Sequence, residues 1–141
     1  MAGARHSVSV AGVVVDAAGR ALLIRRRDNG HWEPPGGVLE LDEAIHDGLR
    51  REVFEETGLK VEPVALTGVY KNMVRGIVAL VFRCRPLEGE PELSDETNAV
   101  RWATRDDVRE LVDEAYAVRV LDALDDTRPP AIRIHDGTQL V

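Results

Sequence analysis

The amino-acid sequence predicts an α/β or α+β fold built on a mixed β-sheet. Apolar runs rich in β-branched residues recur along the chain and read as strands, whereas helical periodicity is confined to one stretch after the first strand pair and one near the end. That order is neither a regular βαβ alternation nor an all-β pattern. The 141 residues, 44% hydrophobic and 30% charged, suit one soluble globular domain spanning 1–141.

In chain order, Ser7 to Val15 reads as a strand, 16–20 as a turn and Ala21 to Arg27 as a second strand, so the two are expected to form a hairpin. Alternation places Arg25 and Arg27 on one face of that second strand and Arg26 on the other. The triplet is either a solvated strand end or a source of bidentate contacts to phosphate. Asp28-Asn29-Gly30 is a turn, and His31-Trp32-Glu33-Pro34-Pro35-Gly36-Gly37 follows, its prolines fixing φ and its glycines permitting close backbone approach. Trp32 is either a core or pocket-wall plug or a base-stacking platform.

The stretch from Gly36 to Leu59 is a turn followed by a helix. Ile45, Leu49 and Val53 form a core-facing stripe, Asp42 is the expected N-cap, and Gly58 is the expected left-handed C-terminal residue, with Leu59 closing on Phe54. Glu52, Glu55 and Glu56 at i, i+3 and i+4 share one arc that overlaps the apolar stripe, so Glu56 is expected to be poorly solvated. Like charges at these spacings repel, acids in the last turns oppose the helix dipole, and Gly48 inside the helix costs about 1 kcal/mol relative to alanine. A hard divalent cation, which prefers carboxylate oxygens, answers the first two costs. Gly48 is expected to leave room for what the cation holds.

After the helix, Val61 to Tyr70 and Gly76 to Cys84 read as strands around a polar patch, Pro86 to Asp95 as a loop, and Ala99 to Trp102 as a short strand. Thr104 and Asp107 have capping-box spacing for a helix that could continue to Leu124, ended by Thr127-Arg128-Pro129-Pro130. Ala131 to Ile134 is an expected edge strand.

The full spacing is Gly37, five residues, Glu43, seven residues, Arg51-Glu52-Val53, one residue, Glu55-Glu56, one residue, Gly58-Leu59. Average residue usage gives it a chance frequency on the order of 10⁻⁹ per starting position. The stretch resembles the signature of the Nudix hydrolases at every specified position. That resemblance implies the Nudix fold, a mixed sheet sandwiched between helices over roughly Val8 to Leu124. It also implies Mg²⁺- or Mn²⁺-dependent cleavage of a small nucleoside diphosphate derivative by water attack at one phosphorus, with a nucleoside monophosphate released. Nucleoside triphosphates, oxidised nucleotides and diphosphate-linked compounds all remain open as substrates.

Carried over by position, Glu52, Glu55 and Glu56 are the metal ligands, with the carbonyl of Gly37, while Arg51 pairs with Glu43. The general base is one glutamate of the cluster or Glu96 from a later loop. Arg25, Arg27, Trp32 and Tyr70 are the candidate substrate-binding residues. The alternative from another functional class is a non-catalytic sensor of a nucleotide or phosphosugar, against which the intact glutamate set argues.

Net charge of −7 disfavours nucleic-acid binding, so the expected partner is a small nucleotide whose charge is met locally by metal and arginine. No apolar run approaches the length needed to span a membrane, and the opening residues hold no signal-peptide core. The single cysteine, Cys84, is expected to be a small buried residue in a cytoplasmic protein. A homodimer is compatible with the sequence.

Overall fold

The computed structural model describes residues 3–125 and 128–141. Met1 and Ala2, within the stretch read for a signal peptide, and Thr127, within the expected helix-ending segment, lie outside the described residues. The elements are β1 (Ser7–Val14), β2 (Ala21–Arg26), β3 (Trp32–Glu33), β4 (Gly36–Val38), α1 (Ile45–Thr57), β5 (Lys60–Asn72), β6 (Ile77–Glu88), β7 (Thr97–Ala103), α2 (Arg105–Leu111), α3 (Glu114–Leu124) and β8 (Ala131–His135). Five strands form a sheet in the order β4-β1-β6-β5-β8, and three form a second in the order β3-β2-β7. The larger sheet is mixed: β1 runs parallel to β6 and β5 to β8, whereas β4–β1 and β5–β6 are antiparallel.

Helices cover both faces, which is why β1 reads as an uninterrupted apolar run rather than an alternating one. Val10 and Val14 pack with Leu49 and Val53 of α1, while Ala11 and Val13 pack with Val108, Val112 and Val120 on the opposite side. The sheet is thus sandwiched between α1 and the α2–α3 pair. Among the described residues no helix is long and apolar enough to cross a membrane.

Five local expectations are corrected. β1 and β2 do not form a hairpin; apart from one bridge between Val15 and Ala21 they separate into the two sheets, because β1 is held by β4 and β6 and β2 by β3 and β7. Ala44, not Asp42, precedes α1, without a side-chain cap, and Ile45 is 43% exposed, so Leu49 and Val53 alone anchor the stripe. Residues 40–43 are turned instead by Glu43, whose carboxylate accepts from the Glu40 amide at 2.9 Å. At the other end Gly58 adopts φ 73° and donates to the Phe54 carbonyl as expected, but the Leu59 amide bonds Thr57 Oγ1 and Leu59 is buried in the core, leaving Phe54 half exposed. Finally, the Thr104–Asp107 capping box forms, but the helix stops at Leu111 and a second begins at Glu114, because buried Val112 is extended.

Candidate active site

The glutamate end of the site depends on how closely β4 approaches α1. A side chain at Gly37 would overlap the Glu52 carboxylate, and one at Gly36 would strike the Val10 carbonyl and Ala11. With both positions bare, the Gly36 amide donates to Glu56 Oε1 at 2.7 Å. Glu56 is 6% exposed, as its position near the apolar stripe implied. Burial pushes its carboxyl up to about 8, against the Gly36 bond that favours the anion, with the charges of Glu33, Glu52 and Glu96 adding to the rise. Burial likewise raises Glu52, opposed by Arg51 and reinforced by Glu55 and Glu96.

Arg51 ties this group together. Its guanidinium grips Glu43 through two bonds of 2.5 and 2.9 Å, and reaches Glu52 at 3.0 Å, exposed Glu55 at 3.3 Å and the Val38 carbonyl at 3.3 Å. The Arg51 bond, helped by the Glu40 amide, holds Glu43 down at about 2. Gly48 serves this pair rather than a ligand, since a side chain there would strike Leu39 and the Glu43 carboxylate.

Among the described residues no three acidic or metal-binding side chains already converge as a coordination shell. The donor set nonetheless fits a hard divalent cation. Glu52, Glu55 and Glu56 offer only oxygen, two of them are raised by burial and mutual repulsion, and Gly37 leaves the Glu52 carboxylate seated against bare backbone.

A cleft of about 780 Å³ begins at Gly36 and Gly37 and crosses the larger sheet to Asn72 on β5 and His135 on β8, with Trp32, Glu33, Tyr116 and Arg119 among its walls. The arginine reading is corrected here. Arg26 lines the cleft, paired with Asp28 at 2.6 Å and Glu33 at 3.3 Å, whereas neither Arg25 nor Arg27 does. Pairing of β2 with β7 turns Arg25 toward Asn98 (2.7 Å), with its guanidinium over the Trp32 ring, and Arg27 toward the Ser94 carbonyl (3.1 Å). Tyr70 is also corrected: it has no exposure, and its hydroxyl donates to Asp122 at 2.7 Å, making it a core residue. Trp32 packs on the core and lines the cleft, as a core and pocket-wall residue. Glu96 is exposed, with its charge felt by Glu52 and Glu56.

Sequence reasoning missed Arg119 and His135. One signal was available: Arg119 lies four residues after Ala115 and four before Ala123, on the apolar face of a helix, where an arginine needs a reason to be.

A family profile described as NUDIX domain matches residues 5–124. A MutT-like protein of Streptomyces ambofaciens is 61% identical over 136 residues, which cover 96% of this chain and 88% of that protein. An ADP-ribose pyrophosphatase of Methanocaldococcus jannaschii is 30% identical over 103 residues, 68% of this chain and 60% of that one. Among solved structures, an ADP-ribose pyrophosphatase from Streptococcus suis superposes with a TM-score of 0.77 at 24% identity over 93% of this chain and all of that one, a likeness of fold.

Proposed function

Because the chain belongs to the NUDIX family, we propose that it is a divalent-metal-dependent pyrophosphohydrolase that cleaves a phosphoanhydride in a small nucleoside diphosphate derivative and releases a nucleoside monophosphate. The observation that carries this reading is the pair of carboxylates, Glu52 and Glu56, seated on the bare backbone of Gly36 and Gly37, two glycines that line the cleft. Their raised affinity for protons is equally a raised affinity for a cation that can replace those protons. Glu52, Glu55 and Glu56, with the Gly37 carbonyl, would hold Mg²⁺ or Mn²⁺. When bound, such an ion supplies charge neutralisation across adjacent phosphate oxygens and a lowered pKa for water.

The rest is done by the chain. Arg51 and Glu43 lock the ligand-bearing turn of α1 to the loop before it, so that the carboxylates are held in place before substrate arrives. The general base is one glutamate of the cluster or Glu96, from the loop before β7. Trp32 and Arg26 contribute an apolar wall and a cation to the cleft that receives the nucleotide.

The test is hydrolysis of nucleoside triphosphates, oxidised nucleotides, ADP-ribose, nucleotide sugars and dinucleoside polyphosphates in H₂¹⁸O with Mg²⁺ or Mn²⁺. A nucleoside monophosphate should appear among the products, and the labelled product identifies the attacked phosphorus. Preference for simple phosphomonoesters, or binding of the panel without cleavage of any member, would defeat the reading.

A further inference from the structure

At the end of the cleft away from Gly36 and Gly37, α3 meets the end of β8. Arg119 there is 8% exposed, with its guanidinium 4.6 Å from the Tyr116 ring centroid and 5.3 Å from that of Tyr70. Among the described residues it forms no ion pair, and its Nε is buried without a hydrogen-bond partner. Three acids of this region have other partners: Asp122 accepts from the Tyr70 hydroxyl and twice from Arg133, Asp136 accepts the amides of Thr138 and Gln139, and Glu33, whose charge is felt by Arg119, pairs with Arg26, while Asp113 lines the cleft from the start of α3. A buried cation without a counter-ion is strongly disfavoured.

His135 sharpens the imbalance. The Gly137 amide donates to its Nδ1 at 3.0 Å, so a neutral ring, assigned from that bond, carries its proton on Nε2. Burial and the charge of Arg119 favour the neutral ring. Nε2 lies 3.2 Å from Arg119 Nη2, which is also a donor, so two donors face each other and neither satisfies the other. An acceptor reached by both removes the conflict, and a negatively charged one also supplies the missing counter-charge.

We propose that Arg119 and His135 form an oxyanion subsite, which takes a phosphate or carboxylate group at the end of the cleft opposite the glutamates. The group belongs to the moiety beyond the scissile anhydride or to a free anion. Only the first of these sources rests on the hydrolase reading.

The experiment compares sodium phosphate with sodium chloride at matched ionic strength, in EDTA, by melting of the wild-type protein, Arg119→Met and Arg27→Met. Phosphate should raise the melting temperature of the wild type and of Arg27→Met, with apparent phosphate affinity at least ~10-fold weaker in Arg119→Met. Without phosphate, Arg119→Met should melt no lower than the wild type, since it removes an uncompensated charge. As a readout that needs no substitution, phosphate should shift the ¹⁵N resonance of His135 Nε2 in the wild-type protein. An unmoved resonance, or an equal phosphate effect in Arg119→Met, would overturn the subsite and leave Arg119 as a packing partner of Tyr70 and Tyr116. Among cleaved substrates, a loss of at least ~10-fold in kcat/KM in Arg119→Met confined to those bearing a phosphate or carboxylate beyond the anhydride assigns the subsite to substrate. Equal kcat/KM for all, with phosphate binding lost, assigns it to a free anion. If no panel member is cleaved the hydrolase reading fails, and the phosphate titration alone decides the subsite.

Discussion

Beside Gly36 and Gly37, where the cleft begins, α1 gathers Glu52 and Glu55 around one arginine, itself already engaged by Glu43, with Glu56 on the Gly36 amide, and so carries more negative charge than the chain compensates. At the other end Arg119 is buried and, among the described residues, forms no ion pair, although the charge of Glu33 is felt there. The glutamates are held by local spacing on one helix, whereas Arg119 and His135 meet only because α3 packs beside β8. Both ends are costly in the empty protein, one in want of a cation and the other of an anion. On the proposed reading, a metal-bound diphosphate carrying a further anionic group would complement both. Imbalance of this kind is a feature of a site rather than of a stabilising network, in which each charge would find its partner inside the chain.

The largest effect expected from breaking the glutamate end is on turnover. Glu56→Gln should lower kcat by at least ~10², the scale of one acid–base or metal-holding group, with melting in EDTA unchanged or raised because the buried carboxyl no longer ionises. Steady-state kinetics on the best substrate, with melting of the same sample, checks this; full activity would remove Glu56 from the mechanism.

The next effect is a pH dependence of the metal-free protein. The folded-state carboxyl of Glu56 titrates at about 8 against an ordinary 4.5, so between these values the native state holds a proton that the unfolded chain has released. Stability in EDTA should therefore fall as pH rises from about 5 to 8, by on the order of a few kcal/mol, and level off above. Glu33 and Glu52 are shifted in the same direction and add to the slope. Glu43, held at about 2, contributes stability above 4.5 that is lost only as pH falls toward 2, so it stays flat across this window. Chemical denaturation at stepped pH measures the slope, which should be reduced in Glu56→Gln; an unchanged slope in that variant would assign it to other groups.

Smaller still is the effect at Tyr70, which separates the core beneath the cleft from the cleft itself. Tyr70→Phe removes the hydroxyl bond to Asp122 and should cost ~1 kcal/mol of stability while leaving kcat/KM within about twofold. A selective loss of activity would return Tyr70 to the substrate site.

The two ends also differ in how far they were legible in the sequence. The burial of Glu56 was legible from helical periodicity, whereas the pairing of Arg51 with Glu43, which lies before the helix, was legible only through the family resemblance. A mixed sheet was legible from the order of strand-like and helical runs, and its place between helices from the resemblance. What periodicity could not supply was tertiary: that β1 and β2 part into separate sheets, that Gly48 clears space for Glu43, and that β2 presents Arg26 and not Arg25 or Arg27 to the cleft. Tyr70 could not be told from a cleft residue, because the last residues of β5 include both Tyr70 in the core and Asn72 in the cleft wall.

The central claim, that the crowded carboxylates await a divalent cation, is tested most directly by melting the wild type and a Glu52→Gln/Glu56→Gln double variant with excess Mn²⁺ and with EDTA at pH 8. A cation that binds only the native state at 100 times its dissociation constant adds about 2.7 kcal/mol. For a domain of this size that is a rise of several degrees, expected in the wild type and absent from the double variant. Equal melting of the wild type in Mn²⁺ and EDTA, or an equal rise in both proteins, would contradict the account.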